Sequence, residues 1–402
     1  MSGHVYHRFF AWNCNAVILR FSFLFIFLAN SHYCRAKDYE TAASHALLMD
    51  YETETILFEK NSDQPVFPGN IVKLATAERV FYALHKGNLT LETEYNVSEN
   101  AWKKGGGPSG ETAMFAALNS SVSVKNLLKG LIIDNGNDAA LVLAEGLAGT
   151  EEHFVHEVNE RLHRIGLHQT KLATATGYNN VQGQTTTLKD VAKLVHHIVN
   201  SYPDLLPIYK EREFTWNKIQ QTNKNPLIGT IEGAEGFVTA SVKGQGTLLV
   251  GSFIRAGRRL IVITCASDSK TARSETENLI EWGYKSFEKY KLFSAHEELT
   301  NLTTYGGDKR GIMAVTHQPV HIFLQKSATP RLSAKIHYTG PLQAPISKGT
   351  EIGALVIRNH NIEILRFPVF AGEDINLGGL SDKAFDNIYE FFSSSFRKAI
   401  GG

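Results

Sequence analysis

Residues 68–76 read PGNIVKLAT, and the way this stretch is read decides how the rest of the chain is organised. It opens the apolar run IVKLATAERVFYALHKG (71–87), whose spacing predicts a helix stopped by Gly87. Asn70 stands at the start of that helix and Lys73 follows three positions later, so the two side chains fall on one face a single turn apart. In a Ser-x-x-Lys pair the lysine assists removal of the serine proton. Here an asparagine holds the first position. Its carboxamide offers a carbonyl acceptor and an NH2 donor but no hydroxyl to deprotonate. Asparagine is also among the best N-cap residues, so Asn70 is expected to start the helix as well as a serine would. Lys73 is less comfortable, because a cation in the first turn opposes the helix dipole unless it is paired with something else.

Outward from this helix, SHALLMDYETETILFEK (44–60) reads as two strands around a polar turn. Helical patterns recur at 124–147, 151–165, 187–200 and 271–290, while TLLVGSFIRAGRRLIVITCAS (247–267) reads as a strand pair. This part is α+β. After about residue 292 the pattern changes to short strands punctuated by Gly and Pro, as in QPVHIFLQK (318–326) and GTEIGALVIRNHNIEILRFPVFAG (349–372), which predicts a small all-β domain. The expected division is 1–36, 37–291, 292–376 and 377–402.

The first 36 residues hold Arg8, Arg20 and Arg35, no acidic residue, and the apolar run FSFLFIFLA (21–29) ahead of NSHYCRA, with Cys34 and Ala36 at the small-residue positions of a cleavage site. This reads as a secretory signal peptide, the run being too short for a bilayer span of about 20 residues. Removing it takes the balance from 41 basic against 40 acidic residues to 38 against 40. Such a surface attracts no nucleic acid. Only Cys265 remains of the three cysteines, so no internal disulfide can form. At the other end, Phe385, Ile388, Tyr389, Phe392, Phe396, Ala399 and Ile400 share one helical face, with Lys383, Asp386, Glu390, Ser394, Arg397 and Lys398 opposite. At a free terminus of an exported protein this helix suits the inner-membrane surface. Packing on its own body, or on a second copy in a homodimer, is the other reading.

Four further blocks accompany PGNIVKLAT in order: NVSENAWKKGGGPSGETAMF (96–115), the segment 124–159 with IIDNGNDAA at its centre, FTWNKIQQTNKNPL (214–227), and 255–287. Together they resemble the D-alanyl-D-alanine carboxypeptidases of the low-molecular-mass penicillin-binding proteins, over nearly the whole chain beyond residue 36. The resemblance implies a β-lactamase-like domain, an antiparallel sheet with helices, followed by the small β domain and an amphipathic tail. It also implies a periplasmic protein that trims the terminal D-alanine from peptidoglycan stem peptides, with a serine nucleophile and neither metal nor other cofactor.

All three motifs that carry this chemistry depart from the family's pattern. Ser-x-x-Lys is matched by Asn70 and Lys73, so the general-base position is kept and the nucleophile is not. Ser-Gly-Asn is matched by Asn135, Gly136 and Asn137, ahead of Asp138 and Ala139. Lys-Thr-Gly, counted without a gap, is matched by Val238, Thr239 and Ala240, although a slip in the Gly-rich loop would move the match. Asn70 cannot form the acyl-enzyme by the family's route, and deleting the nucleophile cost about 10⁶ in turnover in a serine protease where this was measured. Val238 lacks the cation for a terminal carboxylate, an interaction worth roughly 1.5 to 3 kcal/mol. The expectation is a family member that binds a stem peptide, a muropeptide or a protein partner without turning it over. An altered hydrolase using water and Lys73, and a structural protein acting through its β domain or tail, are the alternatives. His153, His156 and Glu157, and the adjacent His196 and His197, match no metal spacing. KKGGGPSG (103–110) does not follow a strand and open a helix as a phosphate loop must, and reads as a loop bordering the groove.

Overall fold

The computed structural model describes residues 7–8, 39–178, 183–326, 330–360 and 362–379. The signal-peptide reading, apart from His7 and Arg8, and the amphipathic tail at 381–402 lie outside the described residues. The expected architecture is the one found, an α+β unit and an all-β unit, the first spanning Tyr39–Lys285 and the second built on Ser286 onward.

The first unit is organised by an antiparallel sheet in the order Ile56–Lys60, His45–Asp50, Arg258–Ala266, Gly246–Arg255, Ala234–Val242. Successive side chains of a strand point to opposite faces, and here both faces are covered. Leu47, Met49, Ile261 and Ile263 join the large core shared with the helices. Leu48 and Leu260 point the other way, toward the helix Ser269–Ser286, where a Cβ on Gly283 would stand 2.6 Å from Leu48 Cδ2. The strand Ala234–Val242 is left at the sheet's edge, which matters for the site.

The helix Val72–His85 buries residues all around its circumference and runs through this core. One charge within it is answered by three partners. Glu78, only 1% exposed, accepts from Arg161 Nη2 at 2.9 Å and Tyr202 OH at 2.9 Å, with His197 Nε2 at 3.1 Å. Burial alone would raise the Glu78 carboxyl; the bonds from His197, Arg161 and Tyr202 overcome it and hold it below the ordinary range.

Two expected elements differ in extent. The helical pattern at 124–147 is two helices, Val124–Ile133 and Asn137–Ala148. The break falls at Asn135, in the left-handed region at φ 59°, which no residue adopts inside a right-handed helix. Apolar spacing runs across the break because both helices are buried, so periodicity alone does not reveal it. At 271–290 the helix ends at Ser286 and a strand, Phe287–Phe293, pairs with Val320–Gln325. The division of the chain therefore falls between 285 and 286, ahead of the 291/292 boundary read from composition.

In the second unit the main sheet runs His7–Arg8, Leu332–His337, Glu351–Asn359, Ile362–Ala371, Gly311–Val315, Glu298–Tyr305, Leu342–Gln343. Its core is Leu302, Ile312, Ala314, Ile322, Leu355, Ile357 and Val369, drawn from alternating strand positions.

Candidate active site

The site is built where two glycines let backbones touch. Gly69 has φ 51° and Gly177 φ 71°, and a Cβ on Gly177 would lie 1.9 Å from the Gly69 carbonyl oxygen, so no other residue fits. This contact brings the Thr176 carbonyl over the start of the helix Val72–His85. Lys73, 2% exposed, donates from Nζ to Asn70 Oδ1 at 2.8 Å and to Thr176 O at 2.7 Å. The expectation that Asn70 caps the helix is corrected here. Gly69–Ile71 form a 3₁₀ turn, Ile71 is the N-cap, and no side chain caps it. The Asn70 carbonyl oxygen is taken by the buried amine, which has the greater need of an acceptor. Burial pulls the Lys73 amine down to about 7, against the opposing pull of Asp134, Asp138 and Glu111.

The second motif lies in the helix break. Asn135 is buried, and its Nδ2 donates to Thr239 O at 3.4 Å. Gly136 is the N-cap of the helix Asn137–Ala148, and the Asn137 N–H donates to Thr112 O at 2.9 Å. Asp138, fully buried, is cradled by backbone: Oδ1 accepts from Met114 N at 2.8 Å and Ala139 N at 2.9 Å, and Oδ2 from Ala116 N at 3.0 Å. These bonds tie the 112–116 loop to the motif. The end of the helix Glu99–Gly105 is equally close, since a Cβ on Gly105 would meet Asp138 N at 2.5 Å. The Gly-rich 103–110 stretch thus lies against the second motif. Asp134, just before it, forms an ion pair with Lys224 at 3.1 Å, and burial pushes its carboxyl up to about 6 in spite of that ammonium.

The third motif is on the edge strand, where Val238 pairs with Val250, Thr239 with Leu249 and Ala240 with Leu248. Val238 is buried, and with Lys73, Asn135, Tyr209 and Phe237 it lines a void of about 10 Å³. Such a void holds one water at most. Thr239 is half-buried and its hydroxyl reaches Leu248 O at 3.4 Å. Ala240 abuts the first motif, its Cβ 3.2 Å from where a Gly69 Cβ would be.

The fold therefore brings the three sequence-predicted segments together. Asn70 and Lys73 bond to each other, Asn135 crosses to the edge strand at Thr239, and Val238 packs beside Lys73 and Asn135. Four participants escaped the sequence reading: Thr176, Tyr209, Asp134 and Lys224. Asp134 is adjacent to Asn135 and could have been weighed; nothing in the sequence pairs it with Lys224, 90 positions away, or Lys73 with the Thr176 carbonyl. Among the described residues there is no cluster of three His, Cys, Asp or Glu side chains fit to hold a metal. His156 faces Glu160 at 3.4 Å, His197 belongs to the Glu78 cluster, and Cys265 is a buried free thiol.

The start of the helix Val72–His85 with Lys73, the Asn-Gly-Asn turn 135–137 and the edge strand Ala234–Val242 thus meet in one place. The sequence matches the D-alanyl-D-alanine carboxypeptidase family over residues 32–269, and residues 287–377 match the C-terminal domain of penicillin-binding protein 5. The chain belongs to the D-alanyl-D-alanine carboxypeptidase family. It is 29% identical over 388 residues to the D-alanyl-D-alanine carboxypeptidase DacC of Escherichia coli, covering 94% of this chain and 95% of that one. It is 30% identical over 352 residues to DacA of Haemophilus influenzae, covering 86% and 88%. Among solved structures it is similar to penicillin binding protein 5 from Haemophilus influenzae, with a TM-score of 0.75 and 30% identity over 84% of this chain and 98% of that one. Penicillin binding protein 6B from Escherichia coli superposes with a TM-score of 0.65 at 28% identity.

Proposed function

We propose that this chain is a non-hydrolysing member of the carboxypeptidase family that works by binding peptidoglycan, as stem peptide or muropeptide, or a protein partner in cell-wall metabolism. The observation that carries this reading is the Asn70–Lys73 bond: the atom facing the lysine at the nucleophile position is an amide oxygen, an acceptor with no proton to give up. The other two departures point the same way. Asn135 spends its amide on the edge strand and Val238 contributes only apolar surface. What remains suits recognition of an extended peptide, because no strand of the sheet pairs with the outer side of Ala234–Val242, where Asn135 takes the Thr239 carbonyl.

A fluorescent penicillin tests this, since a β-lactam reports on the same attack that the family's serine makes on D-Ala-D-Ala. No covalent adduct is expected by mass spectrometry after long incubation, alongside saturable retention of muropeptide. An adduct, or steady release of D-alanine from a pentapeptide, overturns the reading.

One observation favours a second reading. An amine held near 7 is partly neutral at physiological pH and could serve as general base for a water, giving slow hydrolysis that Lys73→Met abolishes. In either reading we infer that residues 1–36 act as a signal peptide for export to the periplasm and that the segment 381–402 attaches the protein peripherally to the inner-membrane face. Deleting that segment is expected to move the protein to the soluble fraction.

A further inference from the structure

The β unit carries a cleft that none of the carboxypeptidase motifs reaches. It has a volume of about 420 Å³ and is lined by His296, Glu298, Met313, Val315, Lys348, Gly372 and Glu373. A Cβ at Gly372 would come within 3.0 Å of both Met313 O and Val315 Cγ1, so a side chain there would crowd the neighbouring strand. Beside the cleft stands an aromatic stack whose outer ring is exposed. The His317 imidazole lies parallel to the Phe370 ring, with centroids 3.8 Å apart and planes 5° apart, and His317 is exposed. The stack adjoins the cleft because Phe370 pairs with Val315 and the His317 and His296 rings are 6.0 Å apart.

These groups divide into three kinds in one place. There is an open aromatic face, a wall of exposed acceptors and donors (Glu298, His296, Lys348), and a short apolar patch from Met313 and Val315. A peptide strand would need free backbone along an edge, and an anion would need the cations unopposed. The cations here are not unopposed, since the carboxylates of Glu298 and Glu373 line the same cleft as Lys348 and Glu373 is ion-paired with Lys309. A pyranose ring fits all three. Its axial C–H face lies on an aromatic plane, its hydroxyls bond carboxylate, imidazole and ammonium groups, and an acetamido methyl takes an apolar wall. The volume lies in the range of small-molecule sites.

We propose that this cleft is a saccharide-binding site for an N-acetylated hexosamine, resting on the outer face of His317, which is itself backed by Phe370, and hydrogen-bonded by Glu298, His296 and Lys348. The site shares no residue with the carboxypeptidase motifs, so it holds or fails independently of whether they bind peptide. Acting on the full chain, it would give the protein a second hold on any glycan that carries such sugars.

The test is calorimetric titration of the full chain with N,N′-diacetylchitobiose, and co-sedimentation with wall glycan stripped of its peptides. Saturable binding is expected, weakened about tenfold or more by His317→Ala and separately by Glu298→Gln, a change of about 1.4 kcal/mol or more. Glu160→Gln, at an exposed position of the first unit outside both sites, is expected to leave it unchanged. Thermal melts of each variant guard against loss of fold, and Glu298→Gln, at an exposed position, keeps the test sound should His317→Ala unfold. Equal affinity for the free disaccharide and the polymer assigns the site to the sugar unit, and binding to polymer alone assigns it to the strand; both support the proposal. No binding of either, or binding that neither cleft variant weakens, overturns it.

Discussion

The positions that would do chemistry and the positions that hold them have different characters in this chain. In the supporting positions buried charge is answered: Asp138 is cradled by three backbone N–H groups, and Glu78 Oε1 by Arg161, His197 and Tyr202. At the reacting positions each departure from the family pattern is a group with no reactive capacity but a satisfied place. Asn70 accepts from Lys73, Asn135 donates to Thr239, and Val238 fills space beside Tyr209. Nucleophilicity and positive charge are therefore separable from the geometry that displays them, because neither is what the backbone of the site is built on.

The comparison is broken most decisively by putting the reagents back. Asn70→Ser with Asn135→Ser and Val238→Lys is expected to gain labelling by fluorescent penicillin that the unsubstituted chain is expected to lack, against a deficit of about 10⁶ when a serine nucleophile is missing. Asn70→Ser alone should restore little, since the second hydroxyl and the cation are still absent. Full labelling of the single variant would show that one residue separates this chain from an acylating enzyme. A folded but unlabelled triple variant would show that the groove itself has changed shape, and Ala240→Gly then tests whether the strand is too crowded for close approach.

The supporting side predicts a smaller effect of another kind. Glu78→Gln leaves the half-buried Arg161 against a neutral amide, and breaking a buried pair typically costs about 3–5 kcal/mol, of which the partial exposure of Arg161 puts this one at the lower end. Asp138→Asn turns one acceptor toward N–H groups as a donor, at about 1–3 kcal/mol for each group left unsatisfied. Asn70→Ser should stay within about 1 kcal/mol, as a hydroxyl can still accept from Lys73. Urea denaturation of the three variants ranks them, and a cost at Asn70 equal to that at Glu78 would mean the site has become part of the scaffold.

How much of this was legible in the sequence follows from where each partner lies along the chain. Strands 45–50 and 56–60, the pair 246–255 and 258–266, and the helices after 72, 151 and 188 are set by local periodicity, which a sequence displays. The helix break at Asn135 is hidden because both flanking helices are buried and keep one apolar rhythm. The segment after Ser286 is hidden because FEKYKLF suits a helix or a strand until Val320–Gln325 pairs with it. At the site the motif positions could be counted out, but the cap expected of Asn70 could not survive a lysine whose second acceptor, Thr176 O, comes from 103 residues away. A local preference yields when a buried charge needs the same atom.

The finest test of the comparison is the pH dependence of that lysine. Its folded value of about 7 lies below the ordinary 10.5, so between those pH values the unfolded chain holds a proton that the folded chain has released. Stability then rises with pH across that window, by up to about 1.4 kcal/mol per unit, and below it the burial of the charged amine weighs on the fold in full. Asp134, raised to about 6 from 3.8, acts with the opposite sign in a lower window: there the folded chain keeps a proton that the unfolded one has lost, so stability falls as pH climbs from 3.8 to 6. The two windows do not overlap, and a stability profile resolves them. Lys73→Met is expected to flatten the rise above 7 and, by removing a cation that lowers the Asp134 carboxyl, to extend the Asp134 window upward. Buried tyrosines such as Tyr202 impose their own fall near and above pH 10, so the decisive measurements lie between 7 and about 9. A slope in that range that survives Lys73→Met would mean that Lys73 is held fully charged by its two carbonyl partners, which removes the neutral amine on which the residual-hydrolase reading depends.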